Sequence, residues 1–332
     1  MLRPISLSLL ALSLALPVAA EAAEKPKQLV LVSFDGAHDN ALWEKSLAMG
    51  KRTGASFTYF LSCTFLMNSQ EKAAYQAPGQ KRGRSNVGFA QSAQEIHTRL
   101  GHLWQAHLDG HDIASHACGH FDGKDWTKAE WTKEFATFST TFRDAWKNAG
   151  IAEREPEGWA KLASEGIKGF RAPYLSTSPA LTAAQKEAGF TYDASIVTKG
   201  PMLPREKHGI TEFGLPLIPE GPKAKPVIGM DYNLFVRHSA GFENRSRSGE
   251  FEERTFKAFK AAFDKEYDGK RIPLQLGFHF VEMNGGAYWR AVDRLLSEVC
   301  DRQDVACVSY AEAIPLIESR NKTQKAENSS AF

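Results

Sequence analysis

Short apolar, β-branched runs recur along the chain, and most are followed by a stretch with apolar residues at helical spacing. Residues 28–34 (QLVLVSF) form the first run, and residues 40–53 then place Leu42, Trp43, Leu47 and Ala48 on one side of a helix. Further strands are expected over 56–61, 111–115, 169–171, 192–197, 272–280 and 306–309, with helices over 93–109, 128–149, 180–188, 252–267 and 289–301. Strands separated by helices of this length pair in parallel through crossovers, so the alternation selects an α/β fold. For a single domain of 332 residues the architecture to expect is a (β/α) barrel. Two stretches break the rhythm and read as long loops: 68–92, rich in Gln, Gly, Lys and Arg, and 199–230, rich in Pro and Gly. Residues 319–332 are polar and without period, and read as a disordered tail.

Charge narrows the partners. Lys and Arg number 41 against 39 Asp and Glu, a net charge of +2, which leaves no strong field to hold nucleic acid or an anionic membrane. Arg3, the apolar stretch 5–18 and the small residues around Ala20 and Ala22 read as a bacterial secretory signal peptide over 1–22, hence a periplasmic or secreted protein with no membrane span after cleavage. Export permits disulfides, and four cysteines allow three pairings. Cys63 and Cys118 each follow a strand-like run and become neighbours if those strands are adjacent. Cys300 and Cys307 flank a short helix-to-strand turn. The expected pairs are therefore 63 with 118 and 300 with 307.

The chemistry gathers at strand ends. In His116-Ala117-Cys118-Gly119-His120 two imidazoles stand four residues apart directly after a strand, a spacing that can aim both at one metal ion. Asp35 and Asp39 follow the first strand, Arg171-Ala172-Pro173-Tyr174 another, and Phe278-His279 a late one. A barrel collects the C-terminal ends of its strands on one face, so these are the parts of a metal-assisted hydrolase. Five of the seven tryptophans, at 104, 126, 131, 146 and 289, read first as core, and the basic stretch 81–84 as a solvated loop.

Ser33-Phe34-Asp35, Ser115-His116 through His120, Arg171-Ala172-Pro173-Tyr174, Tyr192-Asp193-Ala194-Ser195 and Gly277-Phe278-His279 resemble, in order and approximate spacing, the motifs of the polysaccharide deacetylases. This is the NodB-homology group of carbohydrate esterases that includes chitin and peptidoglycan deacetylases. The resemblance spans residues 28–315 and implies a distorted (β/α) barrel that removes N-acetyl groups from a chitin-like or peptidoglycan substrate with a divalent ion, expected to be Zn²⁺. It makes His116 and His120 metal ligands, Asp35 the general base, Arg171 the residue that holds Asp35, Tyr174 an oxyanion donor through its backbone N–H, and His279 the general acid.

Two departures stand out. The position of the family's second Asp, the third metal ligand, is Gly36 here. Asp39 is the expected replacement, with a helix N-cap as its other reading and Asp35 as the fallback ligand. Gly277 replaces the Leu that lines the acetyl-methyl pocket, which implies a wider pocket or a wall supplied by Leu276 or Phe278. Asp193 either orients His279 or caps a strand edge. The rival functions are a non-catalytic glycan binder, and a metal hydrolase of another amide or an O-acetyl ester.

Overall fold

Side chains alternate along the first strand, and both of its faces are apolar. Leu29 and Leu31 join Phe60, Ala114, Tyr192, Ala194 and Phe213 in one buried cluster, whereas Val30, Val32 and Phe34 join a second one with Trp43, Trp289 and Leu295. A strand buried on both faces belongs in a parallel sheet covered by helices. The computed structural model, which describes residues 25–330, has that arrangement. The signal peptide expected over 1–22 lies outside the described residues. Strands β1 (Gln28–Gly36), β2 (Thr58–Leu61), β3 (Asp112–Ser115), β4 (Gly169–Phe170) and β5 (Tyr192–Thr198) lie side by side in parallel. Helices Asn40–Thr53, Ala93–Leu108, Lys128–Arg143 and Pro179–Ala188 lie between them in the chain.

Beyond β5 the chain departs from expectation. Residues 199–230, read as a loop, hold β6 (Arg205–Lys207), β7 (Ile210–Glu220) and β8 (Lys225–Ile228). β7 pairs in parallel with β5 and antiparallel with both β6 and β8. Its prolines disguise it in sequence, yet a proline costs a strand only its N–H donor, and the Pro216 carbonyl still accepts from Gly229 N at 2.8 Å. On the other side of β1 lies β9 (Leu274–His279), with Asp35 level with His279. Between β7 and β9 the barrel is bridged by Gly229 and Met230 in place of a full strand, for Gly277 N donates to Gly229 O at 2.9 Å. β10 (Val305–Cys307) pairs with the start of β1. The result is the distorted parallel barrel that the sequence led us to expect.

Helix Tyr310–Ser330 runs through most of the tail expected to be disordered. Arg320 ties it down by donating to the carbonyls of Arg271 at 2.6 Å and Lys270 at 2.8 Å. Both expected disulfides are present, Cys63–Cys118 and Cys300–Cys307. No helix among the described residues is long and apolar enough to cross a membrane.

Candidate active site

The inward face of β1 continues past Leu31 to Ser33 and Asp35, so its period of two delivers a carboxylate to the C-terminal mouth of the barrel. Asp35 is buried and its Oδ1 accepts from Arg171 Nη1 at 2.8 Å. Arg171 is itself fully buried, and its remaining bonds go to Ser33 Oγ (2.8 Å), the Ala194 carbonyl (3.0 Å) and the Tyr310 hydroxyl (3.0 Å), with the guanidinium over the Phe60 ring. A buried cation persists only when paired and saturated with acceptors in this way. Burial alone would raise the Asp35 carboxyl, but Arg171, with His116 and His279 behind it, holds it below its ordinary value.

The two histidines after β3 are brought together by a strained turn. Ala117 and His120 have φ of 57° and 54°, the left-handed region that side chains avoid. Three devices pin the turn: the disulfide from Cys118 to Cys63, the buried Glu134 carboxylate accepting from Cys118 N at 3.1 Å, and Asn86 N donating to Gly119 O at 2.8 Å. The two rings end 4.9 Å apart. Burial pushes the His116 imidazole down to about 3, so it is neutral at pH 7. Its Nδ1 lies 2.7 Å from the Arg171 carbonyl, which can only accept, so the proton sits on Nδ1. Nε2 is left with a lone pair, buried and without a partner.

On the opposite side His279 ends β9. Its Nδ1 lies 2.6 Å from Asp231 Oδ1, and its backbone N–H donates to Asp231 Oδ2 at 2.8 Å. Asp231 is fully buried at the start of helix Asp231–Ser239. Burial tends to lower the His279 pKa, but Asp231, with Asp35 behind it, raises it above the ordinary histidine value.

A cleft of about 190 Å³ joins these groups, lined by Asp35, His116, His120 and His279 and walled by Phe65, Val87, Phe280 and Val281. A larger cavity, about 640 Å³, lies between helix Pro179–Ala188 and the β6–β7 hairpin and contains none of these residues. Tyr174, expected beside the cleft, has φ 57° and sets its ring 4.9 Å from the His120 ring.

Several expectations are corrected. Asp39 does not turn toward the histidines. It is an exposed N-cap whose Oδ1 accepts from Leu42 N at 2.9 Å, because it begins helix Asn40–Thr53, where unpaired N–H groups need an acceptor. Asp193 bonds Ser195 N at 2.7 Å and the Gln185 amide, and Ser195 in turn accepts from Ala172 N at 2.8 Å, so it shapes the Arg171 turn and does not touch His279. Leu276 and Phe278 face outward into the helix layer, and the space beside Gly277 is filled by Met230, whose Cε lies 2.8 Å from where a Cβ would be. Three contributors escaped the sequence reading: Asp231, Val87 from the 68–92 insertion, and His38, whose ring stacks on Phe65 and lines the cleft. Only His38 carried a signal, its place beside Asp35 at a strand end.

The orphaned Nε2 of His116, with its other nitrogen fixed by a carbonyl and a second imidazole alongside, fits a metal ion. The fit stops at that pair, since among the described residues no three His, Cys, Asp or Glu side chains form a group that could enclose an ion.

No family model matches the chain, nor does any curated protein sequence. Among solved structures it is similar to a provisionally assigned polysaccharide deacetylase from Mycobacterium smegmatis, with 14% identity over 90% of this chain and 93% of that one and a TM-score of 0.54. It is also similar to peptidoglycan deacetylase PdaC from Bacillus subtilis (10% identity, 91% and 97% of the two chains, TM-score 0.46) and to a CE4 family pseudoenzyme from Bacillus anthracis (8%, 87% and 66%, 0.45). The first of these likenesses shows the fold, a polysaccharide deacetylase barrel, and the fold alone.

Proposed function

We propose that the chain is a metal-dependent hydrolase that removes N-acetyl groups from an N-acetylated glycan, chitin-like or peptidoglycan, outside the cytoplasm. The observation that carries the reading is the unpartnered Nε2 of His116 beside His120, facing a cleft whose other walls hold an arginine-bound carboxylate and a carboxylate-bound histidine. Two disulfides suit an oxidising compartment. His116 and His120 would hold a divalent ion, Zn²⁺ by its preference for imidazole, and the ion would supply Lewis-acid polarisation of the acetamide carbonyl and activation of water.

The chain's own groups do the rest. Asp35, kept ionised by Arg171, accepts the proton of the attacking water. The backbone N–H of Tyr174 would donate to the oxygen on which charge develops. His279, whose protonated form Asp231 favours, donates to the leaving nitrogen as the carbon–nitrogen bond breaks, giving acetate and a free amino sugar. Among the described residues Asp35 is the one carboxylate that lines the cleft, so the ligand role expected of Asp39 also falls to it if a carboxylate completes the ion's shell. That single carboxylate also favours the rival reading, a glycan binder without turnover.

Acetate release from N-acetylglucosamine oligomers by the zinc-loaded protein separates the two readings. Release that is lost in His279→Ala supports the hydrolase; binding of the oligomer with no release in the intact protein refutes it.

A further inference from the structure

Eight large apolar side chains stay exposed among the described residues, and they are not scattered evenly. The ring of Tyr232 stands 6.2 Å from that of His279, and Val281 lines the cleft. Val236 follows one turn after Tyr232 on the same face of helix Asp231–Ser239, which puts the two side by side. After the helix the chain folds back, with the vacant side-chain position of Gly241 3.9 Å from Val236 Cγ2, and carries out Phe242, 74% exposed and the barest of the eight. An apolar track therefore starts at the proton-donating imidazole and follows the helix away from it. From residue 232 to residue 239 it covers about 10 Å at helical rise. Its inner end is fixed to the chemistry by one residue, since Asp231, which holds His279, begins the same helix.

A track of exposed apolar side chains that opens into a reaction cleft has the character of a ligand surface. Resting on the deacetylase reading above, we propose that Tyr232, Val236 and Phe242 form a run of sugar subsites on the His279 side of the cleft. They seat the apolar CH faces of successive pyranose rings while the sugar hydroxyls stay in water. The substrate is then an extended glycan gripped on one side of the residue that reacts, and a lone N-acetyl sugar leaves most of the grip unused.

The test compares Tyr232→Ala/Phe242→Ala with Leu108→Ala, an exposed apolar residue at the end of helix Ala93–Leu108, all zinc-loaded. On N-acetylglucosamine tetramer the double variant should raise KM by about 5-fold or more with little change in kcat, and lower kcat/KM on the monosaccharide by a clearly smaller factor. Retention of the metal-free protein on insoluble chitin or peptidoglycan should fall in parallel, and Leu108→Ala should match the parent in both assays. Equal losses on tetramer and monosaccharide, or no loss on either, would overturn the proposal. So would a parent protein that sediments as a dimer and dissociates in Phe242→Ala, because the track would then be covered by a second copy. If the parent binds the polymer through this track and releases no acetate, the subsites stand and the hydrolase reading falls.

Discussion

Gly36 and Gly277 sit at the ends of neighbouring strands, one beside Asp35 and the other two residues before His279, and each replaces a side chain that the resemblance leads one to expect. Their surroundings differ. A Cβ at Gly277 would lie 2.8 Å from Met230 Cε and 3.4 Å from Leu215 Cδ2, so the missing side chain has been exchanged for one from another part of the chain. A Cβ at Gly36 would meet only His38 Nδ1, at an ordinary 3.7 Å, but the backbone there has φ 90°. The end of β9 has been repacked, whereas the end of β1 has been opened and its backbone turned. A lost side chain is thus a change of packing at one strand end and a change of chemistry at the next.

The comparison breaks most completely at the histidine pair. His116→Ala/His120→Ala should reduce bound zinc from stoichiometric to near zero in a protein that still folds, and undiminished zinc by mass spectrometry would remove both residues from the metal's shell. Next in size, Asp35→Asn and His279→Ala should each slow acetate release by about 10²-fold or more. Metal retained in Asp35→Asn makes the open end of β1 a site of proton transfer; metal lost makes Asp35 the ligand that Gly36 cannot be.

The pH profile sharpens the same contrast. His279 must be protonated to act, and its pKa is raised chiefly by Asp231 against burial, so activity should persist above the ordinary histidine value and fall as pH rises through the raised pKa. Asp35 must be ionised and its pKa is lowered, so the acid limb should lie below the usual carboxylate range. Asp231→Asn should move the basic limb to lower pH and leave the acid limb in place, and a profile with both limbs unmoved would remove Asp231 from the control of His279.

Gly277→Leu should cost about 1–3 kcal/mol in chemical denaturation, because the new side chain meets packed Met230, and Met230→Ala should restore part of the loss in the double variant. Additive effects would mean that Met230 does not occupy that space. The smallest effect belongs to Asp39→Ala, about 0.5–2 kcal/mol of stability for a lost cap, with zinc affinity unchanged in a titration of the same protein.

The barrel was legible because its strands announce themselves by length and by apolar runs, and the closeness of His116 and His120 because two residues four apart after a strand stay neighbours across a tight turn. β7 was not, since Gly214, Pro216 and Pro219 carry a loop's composition, and only its register with β5 and β8 and the Gly229 N–H on the Pro216 carbonyl show that a strand can bear them. Asp231 was hidden for a different reason. It lies 48 residues from His279 at the start of a helix, where an acid is unremarkable, and nothing local marks it as the partner of a distant imidazole. Asp39 had the right residue type at a plausible spacing, and the orphan N–H groups of the following helix claimed it.

Cys118 stands between His116 and His120, so the covalent bond to Cys63 crosses the turn that positions both imidazoles. The bond closes a loop of 55 residues, a constraint worth about 4 kcal/mol in the unfolded chain on a loop-entropy account. The geometry of the histidine pair is therefore coupled to thiol oxidation. A chain with free thiols has the strained turn held by hydrogen bonds alone, among them those with Glu134, Asn86 and Thr64, and it gains the covalent tether when the two sulfurs join. The spacing of the two imidazoles thereby depends on the oxidation state of two sulfur atoms.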